Sequence, residues 1–381
     1  MSDTNTQQTT VTQPKSGPAP NPAAKLVMTT ASQVKPEKIT WLWKDKIPYK
    51  KLTLFVGNPG LGKSLASVDV IAKASKGAAF PDTTETYAPV ESILFSLEDD
   101  ANDTIVPRLM AAGADLDKIH IVQHVRQIGA GNAPQEKQFS IDTDLPALEQ
   151  ALKEFPNTRV LVIDPVTNHL GKASATADEE LRPVLSKLAA FVAQHNLATI
   201  LITHFNKGVG LESLHRIAGG VAMVAVVRIA WAFIETADGK HLMLNAKSNV
   251  SAHNVALGYS IEVVKVETNG VVLEPIKMKW GSGIAARFSK ALADSENLEL
   301  RELGECQHWL KTYLASGEKP ATEITRAAET MNCSDNQIRR ASERLNVKKR
   351  KDTSSSTGKW LWSYSEAAQV EAEKTEEMFG G

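Results

Sequence analysis

Short apolar runs alternate with longer amphipathic stretches through the middle of the chain, and that alternation predicts the fold. The runs LTLFVG (52–57), SILFSL (92–97), KIHIVQH (118–124), RVLVID (159–164) and ATILITH (198–204) are rich in β-branched and aromatic residues, several of them almost wholly apolar. Strands covered on both faces read this way, so the pattern predicts an α/β fold with a mostly parallel central sheet between layers of helices. Helical spacing over 63–76, 103–112, 145–154 and 179–195 supplies those layers. The later runs VRIAWAFIET, KHLMLNAKS and YSIEVVKVETNGVVLEPIKM extend the sheet, with Thr268-Asn269-Gly270 marking a hairpin turn.

Polar patterning sets the boundaries around this core. Residues 1–37 form an arm whose first 24 residues are rich in Thr, Gln, Pro and Ser, a composition that cannot bury enough surface to offset its ordering entropy. The core occupies 38–281. Residues 282–297 are less patterned and read as a linker, 298–364 read as a second, small unit, and 365–381 form an acidic tail expected to be solvated and disordered.

Composition narrows the class only slightly. The net charge of −1 over 381 residues means that any attraction to nucleic acid must come from a local patch. The two cysteines, Cys306 and Cys333, have no metal-ligand spacing; they suit a reducing compartment and argue against a disulfide framework. No apolar stretch is long enough to span a bilayer, and the polar N-terminus has no secretory signal. The expectation is a cytoplasmic protein with no membrane partner.

Candidate chemistry changes the picture much more. The run LTLFV leads into Gly57-Asn58-Pro59-Gly60-Leu61-Gly62-Lys63-Ser64, a complete G-x-x-x-x-G-K-[ST] loop, and a helical pattern follows. Its backbone N–H groups can curl around phosphates, with the positive end of the helix behind them. Lys63 would reach the β/γ-phosphates and Ser64 would ligate Mg²⁺, so ATP with Mg²⁺ is the expected ligand pair. A second Mg²⁺-side acid is expected at a strand end, and Asp164 closes RVLVID. In ILFSLEDD, Glu98 is the candidate base that orients water, on the expectation that its strand lies beside the phosphate-loop strand. Asp100 suits the start of the next helix, and Asp99 fits either role. After ATILIT, His204 and Asn206 read either as a γ-phosphate sensor or as satisfied polar groups at a strand end.

Several separate segments then agree in order and spacing: WLWKDKIPYKKLTLFVGNPGLGKS, LFSLEDDANDTIVPRLMAAGAD, VLVIDPVTNHLG, ILITHFNKG, RIAGGVAMVAVVRIAW and KSNVSAHNVALGYSIE. In these the chain resembles RepA-like AAA-domain ATPases of the RecA/DnaB-type P-loop superfamily, over roughly residues 40–262. The resemblance implies a RecA-like core, a catalytic glutamate at Glu98 and a polar sensor at His204. It also implies a ring in which each ATP lies between subunits and a neighbour's arginine completes the site. Arg216 and Arg228 match the positions for that arginine finger. Arg228 also reads as an arginine whose stem packs in an apolar run. Lys247 matches a further position near the nucleotide interface. Two departures stand out: KIPYKK lacks the glycine usual before the loop strand, and Gly220 replaces a usual serine near Arg216.

The small C-terminal unit reads as helix, turn, helix and basic hairpin. Ser334 with Gln337 forms a capping box, and Ile338, Ala341 and Leu345 form the buried stripe of the second helix. Arg339, Arg340 and Arg344 then fall largely on exposed faces, followed by Lys348, Lys349, Arg350, Lys351 and Lys359. This reads as a winged helix, with a helix for the major groove and a basic wing for phosphates, or as a solvated charged surface.

Taken together, the residues and the resemblance lead to one expected function, with two rivals. The expected protein is a ring-forming ATPase, hexameric by resemblance, that translocates on single-stranded DNA and unwinds duplex in replication of a plasmid, phage or similar element. The rivals are a DNA-binding regulatory or loader ATPase without unwinding, and a recombinase-like filament.

Overall fold

The computed structural model describes residues 26–128, 133–173, 177–205, 217–236, 238–251, 255–284, 288–331, 333–352 and 359–364. The chain divides into two units, Met1–Lys38 and Ile39–Gly381. In the first, the described residues are exposed and contain one 3₁₀ turn, Ala31–Gln33.

The second unit begins with a small hairpin of β1 (Trp41–Trp43) and β2 (Ile47–Pro48), and then enters the sheet with β3 (Lys51–Gly57). The helix α1 (Lys63–Lys76) leads to β4 (Glu91–Ser96), then α2 (Val106–Ala111) to β5 (Ile119–Val122). An outlying hairpin of β6 (Val125–Ile128) and β7 (Pro134–Lys137) precedes α3 (Leu145–Glu154). The chain continues through β8 (Thr158–Asp164), α4 (Asp178–Gln194), β9 (Ala198–Thr203) and α5 (Gly220–Val226) to β10 (Ile229–Glu235). Next come β11 (His241–Ser248), β12 (Ala256–Val263), the short pair β13 (Val266–Thr268) and β14 (Val271–Leu273), and β15 (Ile276–Ile284). Asn269 and Gly270 at the tip both sit at positive φ, as the sequence pattern required.

The nine-stranded sheet has the order β15-β12-β11-β10-β3-β9-β8-β4-β5. From β10 to β5 all neighbours are parallel, while β10, β11, β12 and β15 are joined antiparallel. Alternation along the strands sends side chains into two cores. Leu52, Leu54 and Val56 join Leu185 and Leu188 of α4 on one face, and Phe55 joins Val68 and Ile71 of α1 on the other. The expected α/β fold with a mostly parallel sheet is the observed one.

The second helix departs from its expected 103–112 span. It opens with a π-helical turn, Ala101–Ile105, capped by the Asp100 carboxylate accepting from the Asn102 amide at 2.7 Å, and α2 follows. Pro107 has no N–H to give, so the turn before it is free to widen.

Residues 282–297, expected to be a linker, instead carry the end of β15 and the first turns of a long helix, α6 (Phe288–Leu314). At about 40 Å this helix packs on β10 and β11 and also on the last helix of the chain. It shares a third core, with Leu303, Leu310 and Leu314 against Ile324 of α7 (Ala321–Glu329) and Ile338, Ala341 and Leu345 of α8 (Asp335–Arg344). A small sheet of β16 (Lys319–Pro320), β18 (Trp360–Ser363) and β17 (Lys348–Lys351), in that order, completes the region.

The two cysteines, expected to be unpaired, are bonded to each other. Cys306 of α6 and Cys333 ahead of α8 are 27 residues apart in sequence, yet the packing of these elements brings their Cα atoms to 5.9 Å. Sequence spacing was silent on that approach because it is created by the third core. Among the described residues no helix is long and apolar enough to cross a membrane.

Candidate functional site

The phosphate loop lies between the end of β3 and the start of α1. A side chain at Gly57 would put its Cβ 2.4 Å from the Phe233 carbonyl oxygen of β10, so only glycine fits there. Gly62 caps α1 at φ 75, a left-handed conformation that L side chains rarely adopt. The Lys63 ammonium folds over the loop and donates to the Asn58 carbonyl at 2.8 Å. Burial lowers its pKa to about 8 against the opposing pull of Asp164 and Glu98.

Asp164 ends β8 two strands away, and the Ser64 hydroxyl donates to its carboxylate. Burial raises the Asp164 pKa to about 6; the Ser64 bond lowers it, and the nearby Glu98 charge raises it again. A hydroxyl and a carboxylate held together beside an anion cradle suit Mg²⁺, which takes one or two protein oxygens and fills its shell with water and phosphate. Bound there by Ser64 and Asp164, the ion would neutralise charge on the phosphates.

Glu98 reaches this place by a different route from the one expected. Its strand β4 does not neighbour β3; β9 and β8 lie between them. Ser96 pairs with Asp164, so two residues further on the chain passes the acidic end of β8, and Glu98 arrives beside the loop from there. Its carboxylate is 4.0 Å from Nε2 of His204, close beside it but too far for a hydrogen bond. His204 follows β9, which does neighbour both β3 and β8. Its pKa is lowered by burial and then by the Lys63 ammonium. Lys63, Ser64, Asp164, Glu98 and His204 therefore converge on one edge of the sheet.

The neighbours of Glu98 turn inward to the scaffold. Asp99 is paired with Arg108 of α2 at 2.6 Å, and Asp100 is the helix cap. Asn206 and Arg216 lie outside the described residues. Arg228 is exposed at the start of β10, where its amide bonds to Leu52 at the beginning of β3. Five residues separate Leu52 from Gly57, so at ~3.3 Å per residue Arg228 stands about 17 Å from the loop, at the opposite edge of the sheet. Lys247 lies beside it and donates to the Val224 and Val227 carbonyls.

Residues 18–210 match the family described as AAA domain, more than half of the 381-residue chain. The chain belongs to the AAA-domain family. It is a P-loop ATPase, a class that generally binds ATP with Mg²⁺. Among solved structures, it is similar to a KaiC-like protein from the hyperthermophilic archaeon Pyrococcus horikoshii at 19% identity and a TM-score of 0.42, covering 63% of this chain and 99% of that one. No curated protein shows significant similarity to the chain.

At the other end of this AAA-domain protein, the basic residues divide into two groups. Arg339 pairs with Glu343 at 3.1 Å, Arg350 grips Glu318 through two nitrogens, and Lys349 lies 4.1 Å from the centre of the Trp362 ring. Arg344, Lys348, Lys351 and Lys359 are exposed and Arg340 partly so; none has an ion-pair partner among the described residues. The Ser334–Gln337 capping box is present and fixes the start of α8.

The sequence reading missed Tyr259, whose hydroxyl donates to the Leu61 carbonyl inside the phosphate loop at 2.6 Å. It opens a β-branched run like any other strand, and nothing in its spacing marks it.

Proposed function

We propose that this P-loop ATPase is a ring-forming, ATP-driven DNA motor, a replicative helicase of a plasmid, phage or other mobile element. The observation that carries the reading is the separation of Arg228 from the phosphate edge of its own subunit. An exposed arginine at the far edge cannot serve its own loop but is free to serve the next subunit's in a head-to-tail ring. There it would stabilise charge building up on the phosphates and make hydrolysis depend on subunit contact.

Within one subunit, the Lys63 ammonium and the loop amides hold the phosphate charge, and Ser64 with Asp164 holds Mg²⁺. Glu98 orients a water against the γ-phosphate. His204, beside Glu98, changes its surroundings when that phosphate leaves and passes the change to the chain beyond β9. The C-terminal helices and small sheet act as a winged helix that holds DNA through Arg340, Arg344, Lys348, Lys351 and Lys359, while Arg339, Lys349 and Arg350 are held against its own scaffold.

The test is strand displacement on a forked duplex with ATP and Mg²⁺, with Glu98→Gln as control. Unwinding that vanishes in the variant is the expected result. DNA-stimulated hydrolysis without unwinding would sink the helicase reading and leave a DNA-dependent switch or loader.

A further inference from the structure

The phosphate loop is held from a second side, by strands from the far end of the sheet. Between β3 and β12 lie β10 and β11, yet the side chains of β12 and β15 reach back across them to the loop. Tyr259 of β12 donates its hydroxyl to the Leu61 carbonyl at 2.6 Å. A Cβ on Gly62 would sit 3.1 Å from Met278, 3.3 Å from Ile261 and 3.7 Å from Tyr259, so this wall is pressed against the loop backbone. One step along β15, the Trp280 indole donates to Asp69 of α1 at 2.7 Å.

Tyr259 is fixed where it stands. It is 7% exposed, His241 stacks on it with ring centres 5.3 Å apart, and Phe233 lies against it at 5.7 Å. Burial, and after it the Glu235 charge, pushes its hydroxyl pKa up, so the proton stays on and the group acts as a donor.

The consequence follows from the planarity of the peptide. In a trans peptide the C=O and the next N–H point in opposite directions. Holding the Leu61 carbonyl against Tyr259 therefore turns the Gly62 N–H away from β12. A loop that binds phosphate through its amides needs its carbonyls held outward, because an inward carbonyl would repel the anion.

We propose that Tyr259 is a positioning residue of the nucleotide site, which sets the Leu61–Gly62 peptide for phosphate before ATP arrives. This rests on the P-loop ATPase reading of the same site. A loop organised in advance binds its ligand without first losing conformational freedom. The contribution is to ground-state binding, so it belongs in KM and in ATP affinity and leaves kcat alone.

The experiment uses the full chain, with Tyr259→Phe against the wild type and Trp280→Phe as the companion. Three quantities are read: the Kd of a fluorescent ATP analogue, KM and kcat for ATP, and hydrogen exchange of the amides of residues 60–64 without nucleotide. Tyr259→Phe is expected to raise Kd and KM about 3- to 10-fold, as loss of one hydrogen bond allows, with kcat within about twofold and faster exchange confined to the loop. Trp280→Phe removes the bond to Asp69 but keeps a ring edge-on to Tyr259, where the two ring centres lie 6.0 Å apart. The Leu61 bond therefore stays in place, and KM is expected to rise less than in Tyr259→Phe. Unchanged Kd and loop exchange in Tyr259→Phe would overturn the proposal. So would an equal rise in KM in both variants, which would assign the effect to packing. A wild type that binds no ATP analogue would overturn the phosphate-loop reading, and this inference with it.

Discussion

The phosphate edge and the basic face of the C-terminal region both concentrate charge, and they do it in opposite ways. At the phosphate edge the charges are few, and two of them, Lys63 and Asp164, are buried, with Glu98 exposed at the rim beside them. Burial lowers Lys63 to about 8 and raises Asp164 to about 6, and each charge pulls the other back toward its ordinary value. On the basic face Arg344, Lys348, Lys351 and Lys359 stand in solvent. Buried, mutually dependent charges are what chemistry on a small anion requires, because field strength grows as water is excluded. Exposed charges of one sign suit a long polyanion, where each contact adds a little and salt subtracts it.

If that contrast holds, substitutions should combine differently in the two places. Lys63→Ala and Glu98→Gln should each lower turnover by about 10²- to 10³-fold, and the double variant should be scarcely worse than the single ones, because the groups act as a unit. Steady-state ATP hydrolysis by the three variants checks this. Additive losses would show that the edge is not one machine.

The next largest effect concerns the scaffold of the basic face. Closing a loop of 27 residues contributes about 3–4 kcal/mol in the chain-entropy account. Replacing Cys306 and Cys333 by serine should therefore lower the unfolding temperature of the C-terminal region while basal ATP hydrolysis is retained. Calorimetry with and without dithiothreitol checks it: reduction should shift the wild-type transition and leave the serine variant alone.

On the face itself, Arg344→Ala and Lys348→Ala should each weaken DNA binding by a small, roughly additive step and reduce the slope of log affinity against log salt by about one. Salt titrations of fluorescence anisotropy read both. A slope unchanged by either substitution would count against these residues as phosphate contacts.

The smallest effect is a matter of pH. His169 is 2% exposed, one ring nitrogen is bonded to the Phe139 carbonyl, and burial lowers its pKa below 6.5. The unfolded chain therefore takes up a proton first as pH falls below 6.5, and stability drops over that window. Urea unfolding at pH 7.5 and 5.5 should show the loss, and His169→Gln should show less of it.

What could be read from sequence was whatever depends on neighbours along the chain. The spans of α1 and α3, the loop from Gly57 to Ser64, and the capping box at Ser334 are all local, and they stand where the pattern put them. Sheet order is not local, so the partners of β4 were misjudged even though the path of Glu98 to the loop survived the error. The bond between Cys306 and Cys333 and the reach of Tyr259 to Leu61 were invisible for the same reason: each depends on elements that meet only after the cores have formed. The extent of α6 was missed because its first turns carry no clear apolar stripe of the kind that marks α4.

The outermost strand of the sheet has a bearing on how copies of the chain avoid joining in the wrong way. Among the described residues β15 pairs on one side only, with β12. An open strand edge is a template for another strand, and a run of bare backbone invites fibre-like stacking. This edge carries Lys277 and Lys279, and its end, Gly281 to Ile284, is exposed and broken by Gly281 and Gly283. Lysines repel an identical edge, and the two glycines give an incoming strand no side chains to grip. Pairing of two copies through this edge is therefore disfavoured, and sequence changes that make it apolar would turn a guarded rim into an adhesive one.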